Sequence, residues 1–298
     1  MSFSQQVKSE LCELRTASCC KFAECYGMLL FGRSFSHDNI SFLTADKNVC
    51  LHLESLLKTC FSAVATVSEG GIKKPTYLLT VDNPIDRKRI LIKYDRYGNG
   101  ALLGLNPSLF EKECCTEGFI RGAFLACGSI TDPEKAFHAE FALKREELLE
   151  DFFEVLCERG LSPKKTLRQG KGLIYFKNGA DIEDLLTVMD ATNHTLELMN
   201  VQIYKDMRNK TNRIKNCDNG NISKTVAASM AQREAIEKIE KKGKLPTLPP
   251  ELYEAALLRK HNPEESLSQL CVIAKNKITR SGLNHRMKKI IEIANDIK

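Results

Sequence analysis

No apolar stretch in this 298-residue sequence reaches the roughly 18 consecutive residues that a membrane-spanning helix requires. The N-terminal segment MSFSQQVKSELCELR is polar and amphipathic, and it lacks the apolar core of a secretory signal peptide. These absences argue against a membrane protein and a secreted protein. The sequence therefore predicts a cytoplasmic protein with no membrane partner.

The sequence also lacks any Cys-X-X-Cys pair, although it contains 12 cysteines. Without an export signal the thiols are expected to be reduced, so a disulfide framework is not predicted. Most of the cysteines fall on apolar faces of predicted helices, where a free thiol packs as a small hydrophobe. The missing ligand spacing favours structural cysteines over the alternatives, a metal centre or a redox sensor, and predicts no metal and no cofactor.

Acidic residues are scarce near the C-terminus. Residues 201–298 contain 20 Lys and Arg against 11 Asp and Glu, a net charge of +9, whereas residues 1–200 have a net charge of −3. Such asymmetry suggests that the C-terminal part binds a polyanion, with a solvated basic surface as the alternative. The negative net charge of residues 1–200 argues against strong DNA binding by that part of the chain alone.

An internal repeat organises the first 200 residues. The segment CCKFAECYGMLLFGRS begins at Cys19, and CCTEGFIRGAFLACGS begins at Cys114. Besides the double cysteine, the two share Gly27 with Gly122, Leu30 with Leu125, and Ser34 with Ser129. Each copy therefore begins with a helix of the same pattern, so the repeat predicts two related halves.

The same order of elements follows each leading helix. Alternation and helical spacing predict strands at 40–46, 63–69, 76–82, 136–144, 164–168 and 172–177, and helices at 48–61, 84–94, 145–160 and 181–191. We interpret each half as a helix followed by two strands, a helix, two strands and a helix, with the first of its four strands not assigned to particular residues. This order of elements indicates an α+β fold. The two halves are predicted to form one pseudo-symmetric domain over residues 1–200.

Small residues recur on one face of each leading helix. Ala23 and Gly27 are four residues apart, and Gly118, Gly122 and Ala126 repeat that spacing. Small side chains at this spacing let two helix backbones approach closely. We expect the two helices to pack against each other at the pseudo-twofold axis, rather than each against its own sheet.

A basic linker containing a helix is predicted over residues 201–245, where amide and basic residues precede a charged helix and a proline-rich stop. Secondary DNA contacts are predicted at Arg208, Lys210, Arg213 and Lys215. These four cations either touch phosphates or form a solvated hinge.

Three short helices are predicted in residues 246–298. The first runs from about Glu251 to Lys260 and is broken at Asn262-Pro263, the second begins near Ser266, and the third begins around Ser281. Apolar residues recur on one face of each helix. This arrangement predicts an all-α helix-turn-helix domain.

The third helix and the turn before it carry the predicted DNA contacts. No Asp or Glu occurs between Glu265 and Glu292. The candidate residues are Lys275, Lys277, Thr279, Arg280, Ser281, Asn284, His285, Arg286, Lys288 and Lys289. We expect Ser281, Asn284, His285 and Arg286 on the early turns of the third helix, opposite its apolar stripe. In a helix-turn-helix those turns enter the major groove, where Asn pairs with adenine and Arg with guanine. The alternatives are a local cap at Asn284, a surface role for His285 and a solvated lysine pair.

Three stretches carry a resemblance that extends over nearly all of the chain: RGAFLACGSITDPEKAFHAEF, DMRNKTNRIKNCDNGNISKTV, and SLSQL followed by TRSGLNHRMKKI. Through them the chain resembles the WhiA family of bacterial transcription regulators. This resemblance implies a domain similar to LAGLIDADG homing endonucleases, followed by a helix-turn-helix similar to sigma-factor region four. It also implies a role in sporulation and cell division in Gram-positive bacteria.

The resemblance to the endonucleases identifies two positions where an acidic residue would be expected. In active homing endonucleases an acidic residue ends each central helix and holds a divalent metal. Here Gly32 and Cys127 occupy those positions, and neither supplies the oxygen that magnesium prefers. We expect no catalytic residue and no enzyme activity.

The predicted function is sequence-specific binding of double-stranded DNA by a transcriptional regulator associated with the nucleoid. The prediction adds another transcription factor or RNA polymerase as a second partner. One alternative is a regulatory module that binds a protein or ligand through the N-terminal domain. The other is a metal-dependent DNA endonuclease.

Overall fold

The computed structural model describes residues 1–71, 75–97, 104–168, 170–274 and 277–297. The chain divides into two compact units, Met1–Lys205 and Asp206–Lys298. Across the described ranges, no helix has both the length and the apolar character needed to cross a membrane.

The first unit contains the two predicted halves. Its first half contains α1 (Phe3–Glu13), α2 (Ser18–Leu30), β1 (Ser34–Phe35), β2 (Ile40–Thr44), α3 (Lys47–Phe61), β3 (Thr66–Gly70), β4 (Thr76–Thr80) and α4 (Pro84–Lys93). Its second half contains α5 (Glu113–Cys127), β5 (Gly128–Ile130), β6 (Ala139–Leu143), α6 (Leu148–Glu158), β7 (Lys164–Arg168), β8 (Lys171–Phe176) and α7 (Gly179–Val188). The predicted α+β repeat is confirmed.

Each half folds into its own four-stranded antiparallel sheet with the same strand order. The orders are β1-β2-β4-β3 and β5-β6-β8-β7. The registers correspond, since Phe42 pairs with Leu79 in the first sheet and Phe141 with Ile174 in the second. All four of these side chains are buried. Each sheet therefore presents one apolar face to the core.

The two central helices, α2 and α5, pack against each other through their glycines, as the small-residue pattern predicts. A Cβ atom at Gly27 would lie 2.5 Å from the carbonyl oxygen of Phe119, and one at Gly118 would lie 2.8 Å from that of Cys20. A Cβ at Gly122 would collide with the backbone of Glu24. Glycine is required at these positions because backbone lies directly against backbone.

A buried ion pair crosses the same helix interface. Arg121 and Glu24 are each 1% exposed, and Arg121 Nε donates to Glu24 Oε2 at 3.1 Å. Arg121 Nη1 also donates to Asp190 Oδ2 at 3.1 Å and to the carbonyl oxygen of Met189 at 3.2 Å. The other carboxylate oxygen of Glu24 lies 2.7 Å from His52 Nε2. Both buried charges are therefore hydrogen-bonded, as burial demands.

The second unit is helical. Helix α8 (Thr192–Lys241) spans the division between the units, and it is followed by α9 (Pro250–His261), α10 (Leu267–Ile273) and α11 (Arg280–Asp296). The segment 201–245, expected to be a basic linker with a helix, is thus helical from its first residue to Lys241. The division into 1–200, 201–245 and 246–298 stays a prediction.

The core of the second unit joins the end of α8 to the three shorter helices. Ile236 and Ile239 of α8 are buried in one cluster with Leu270, Met287 and Ile290. The last turns of α8 therefore belong to the packed core, and their apolar residues contribute to the stability of the three-helix segment.

A buried arginine fixes the segment between α9 and α10. Arg259 is 1% exposed, and its Nε donates to Gln232 Oε1 at 2.9 Å. Its Nη1 donates to the carbonyl oxygens of Asn262 and Glu265, the latter at 2.6 Å. Burial lowers the pKa of Arg259. Arg259 therefore connects α8 to the turn that precedes α10.

Candidate nucleic-acid interface

Side-chain caps define the start of both C-terminal helices. Ser266 and Gln269 form a reciprocal capping box at α10. Thr279 caps α11, since its Oγ1 accepts from Gly282 N at 3.2 Å. The third helix thus begins at Arg280, one residue before the position expected from sequence.

One face of α11 is polar and exposed. Four exposed side chains follow the i, i+3, i+4, i+7 spacing of a single helix face: Ser281, Asn284, His285 and Lys288. The opposite face is buried and carries Leu283, Met287, Ile290 and Ala294. The apolar face therefore anchors the helix and leaves these polar groups free to meet a ligand.

The electrostatics of this face favour an anion. Lys277, Arg280 and Lys289 are exposed beside it, and the first turn of α11 carries no acidic residue. The free N–H groups and the dipole at a helix N-terminus add to this positive potential. Lys275, also predicted as a DNA contact, lies outside the described residues.

Arg286 lies on the flank of α11, and its expected position opposite the apolar stripe is wrong. At 100° per residue it is only roughly 70° from the centre of the buried face. Its side chain is 27% exposed, and Nη2 lies 3.1 Å from Glu251 Oε2 of α9. Arg286 is thus already paired with a carboxylate, unlike its exposed neighbour Asn284.

The four basic residues predicted as secondary contacts are exposed on α8, but they do not share one face. Arg208 and Lys215 follow the i, i+7 relation, whereas Lys210 and Arg213 follow i, i+3 on another side of the helix. A straight duplex could meet only one of these pairs at a time.

The two positions that correspond to the endonuclease acids lie at the ends of the central helices. Gly32 follows the last turn of α2, and its N–H donates to Leu29 O at 3.2 Å. Cys127 is the last residue of α5, and its Sγ donates to the carbonyl oxygen of Ala123 at 3.3 Å. Burial raises the pKa of Cys127 to about 12, so this thiol stays protonated.

Cations approach both of these helix ends, which the sequence did not predict. Lys8 Nζ donates to the carbonyl oxygen of Leu125 at 3.1 Å, and Arg145 Nη2 donates to that of Leu30. Burial lowers the pKa of both Lys8 and Arg145. Cations are favourable at helix C-termini. No local sequence signal reveals these contacts, because each joins residues far apart in the chain.

The structure also brings together four cysteines for which the sequence shows no ligand spacing. The Sγ atoms of Cys19, Cys20, Cys114 and Cys115 all lie within 4.8 Å of one another. Cys20 and Cys115 are buried, as expected of structural cysteines, whereas Cys114 is exposed. Burial raises the pKa of Cys20 to about 11 and that of Cys115 to about 12. The internal repeat was the one available signal, since it pairs the two double cysteines.

Comparisons with known proteins agree with this architecture. Residues 116–208 match the WhiA LAGLIDADG-like domain, and residues 211–294 match the WhiA C-terminal HTH domain. In fold, the chain is similar to full-length DUF199/WhiA from Thermotoga maritima, with a TM-score of 0.62 and 23% identity over 99% of this chain and 98% of that one.

Two curated relatives cover the chain from end to end. The probable cell division protein WhiA of Clostridium botulinum (strain Eklund 17B / Type B) is 34% identical over 319 residues, covering 100% of this chain and 99% of the relative. That of Ruminiclostridium cellulolyticum is 36% identical over 312 residues, covering 100% and 98%. The chain therefore belongs to the WhiA family, with a LAGLIDADG-like domain followed by a helix-turn-helix domain.

Proposed function

We propose that this protein is a sequence-specific DNA-binding transcriptional regulator whose helix α11 enters the major groove. The observation that carries the proposal is the exposed polar face of α11, in a stretch without acidic residues and within a helix-turn-helix domain. The relatives' name supports a role in cell division. Sporulation control in a Gram-positive bacterium and association with the nucleoid are further parts of the proposal.

Different residues on and around this face have different roles. Asn284 and His285 point away from the core on the early turns, where a recognition helix contacts base edges, and Asn forms a bidentate pair with adenine. Lys277, Arg280, Lys288 and Lys289 contact phosphates and hold the helix in register. Arg286 contributes from the flank, where binding competes with its pairing to Glu251.

Salt dependence tests the phosphate contacts. Each phosphate that a cation neutralises contributes about −0.9 to the slope of log K against log salt. Replacing both Lys288 and Lys289 by alanine should therefore make the slope shallower by about 2. The matched control replaces Lys241 and Lys242, a second pair of adjacent exposed lysines, at the last residue of α8 and the residue after it.

The measurement is fluorescence anisotropy of the full chain with a labelled duplex at several salt concentrations. The control variant should keep the slope of the unmodified protein. Equal changes of slope in both variants, or a flat salt response of the unmodified protein, would count against groove binding by α11.

We further propose that the LAGLIDADG-like domain does not cut DNA. Gly32 offers no side-chain ligand, Cys127 offers sulfur where magnesium prefers oxygen, and the cations Lys8 and Arg145 lie at the ends of the central helices. A positive charge there repels a divalent metal ion. Incubation of supercoiled plasmid with the full chain and magnesium should leave it intact. Nicking that persists in a variant with both Lys288 and Lys289 replaced would contradict this assignment.

A further inference from the structure

Four sulfur atoms meet where the first turns of the two central helices converge. Cys19 and Cys20 are the second and third residues of α2, and Cys114 and Cys115 are the second and third of α5. All four Sγ atoms lie within 4.8 Å of one another, and Cys19 Sγ is 3.9 Å from Cys20 Sγ. The two halves of the repeat thus contribute equivalent pairs to one cluster.

The close helix packing creates this cluster. Gly118 lies one turn after the second cysteine pair, and it allows α5 to approach the carbonyl oxygen of Cys20 directly. A larger residue there would separate the two helix starts and widen the distance between the sulfurs. The same contact that defines the helix pair therefore fixes the geometry of the four thiols.

We propose that Cys19, Cys20, Cys114 and Cys115 bind one zinc ion in a tetrahedral site. A Zn–S bond of about 2.3 Å places the sulfurs of such a site roughly 3.8 Å apart, which these four reach with small side-chain shifts. Iron–sulfur clusters also use four thiolates, but they hold several metal atoms and need a wider spread of sulfurs. The compactness of the cluster favours a single ion.

The surroundings suit the charge of such a site. Coordination by the divalent ion displaces the four thiol protons, which leave to solvent. The four thiolates and the ion then carry a net charge of −2, and two helix N-termini present partial positive charge and free N–H groups at this point. Four protein ligands leave no open position for a substrate. The ion is therefore structural, and it joins the first turns of α2 and α5.

Metal analysis of the full chain tests the proposal. The protein is purified under reducing conditions from zinc-supplemented cells, and its zinc content is measured by mass spectrometry. We expect about one zinc per chain. Replacing zinc by cobalt should give the absorption bands of a tetrahedral thiolate site, a readout that needs no variant.

Three serine variants, one in the cluster and two controls outside it, locate the site. Cys114 is the exposed member of the cluster, so Cys114→Ser should fold, and circular dichroism verifies this. It should weaken zinc binding about tenfold or more by removing one of four ligands. Cys157→Ser and Cys217→Ser replace exposed cysteines outside the cluster and should leave zinc binding unchanged.

Three results would overturn the proposal. One is less than about a tenth of a zinc per chain with all four thiols free to react. Another is a disulfide linking the two cysteine pairs in protein purified without air, which would make the cluster a redox site instead. The third is equal zinc affinity in Cys114→Ser and Cys157→Ser.

Discussion

Breaking the buried pair between Arg121 and Glu24 should be among the most destabilising single changes in the first unit. Arg121→Met removes the guanidinium but keeps most of the side-chain volume. Glu24 then remains 1% exposed, with His52 as its one side-chain partner among the described residues. A buried charge that has lost its partner is the costly outcome of such a change.

The expected decrease in the free energy of unfolding follows from the two ion pairs of Arg121. The pair with Asp190 involves a carboxylate that is 58% exposed, so it contributes at most about 1 kcal/mol. The pair with Glu24 is fully buried, and its loss should cost about 3–5 kcal/mol. Replacing both partners, as in Arg121→Met with Glu24→Leu, should cost less than the sum of the single changes, because neither charge then remains unpaired.

Urea unfolding followed by far-ultraviolet circular dichroism provides the assay, since the chain contains no tryptophan. The two compact units can unfold in separate transitions, and the Arg121 variants should shift the one that belongs to the first unit. A loss below about 1 kcal/mol for Arg121→Met would refute the reasoning. So would additivity of the two changes to within about 0.5 kcal/mol.

Two further predictions use the same unfolding measurement. Gly122→Ala should destabilise the first unit by about 1–3 kcal/mol, because the added methyl group forces α5 away from the backbone of Glu24. Its control, Gly220→Ala, has open space around it on α8 and should be neutral or stabilising by up to about 1 kcal/mol; a larger loss in the control would contradict the close-packing argument. Arg259→Lys should cost about 1–3 kcal/mol in the second unit, because lysine cannot reproduce the fork that reaches Gln232 and two carbonyl oxygens. An unchanged free energy of unfolding in Arg259→Lys would show that these hydrogen bonds of the guanidinium are dispensable.

Local patterns predicted most of the fold correctly. The repeated double cysteines and glycines indicated two equivalent helices, and the structure packs them at Gly27, Gly118 and Gly122. Strand β8 lies where its apolar run predicted it, and buried residues alternate along it, whereas all five residues of the predicted strand β7 are exposed. Strands β1 and β5 were not located, since two or three residues are too few to show alternation.

The same reasoning was less successful where long-range contacts decide the outcome. Helical spacing alone places Arg286 on the flank of α11, but its pairing with Glu251 joins two different helices. The cations at the ends of α2 and α5 belong to segments that are distant in the sequence from those helix ends. The two cysteine pairs of the cluster are likewise distant from each other in the sequence. Spacing along the chain reports only on neighbours within one element, so contacts between elements required the structure.

The central claim is that the exposed face of α11 recognises bases, and the contribution of Asn284 to discrimination between a preferred duplex and random sequence tests it most directly. A preferred duplex is first selected from a random pool with the full chain, and the affinities of the unmodified protein and Asn284→Ala are then measured on that duplex and on random sequence. A base contact worth about 1–3 kcal/mol predicts a loss of roughly 5- to 150-fold on the selected duplex and almost none on random sequence. Equal losses on both duplexes, or no loss on either, would contradict base recognition by the exposed face of α11.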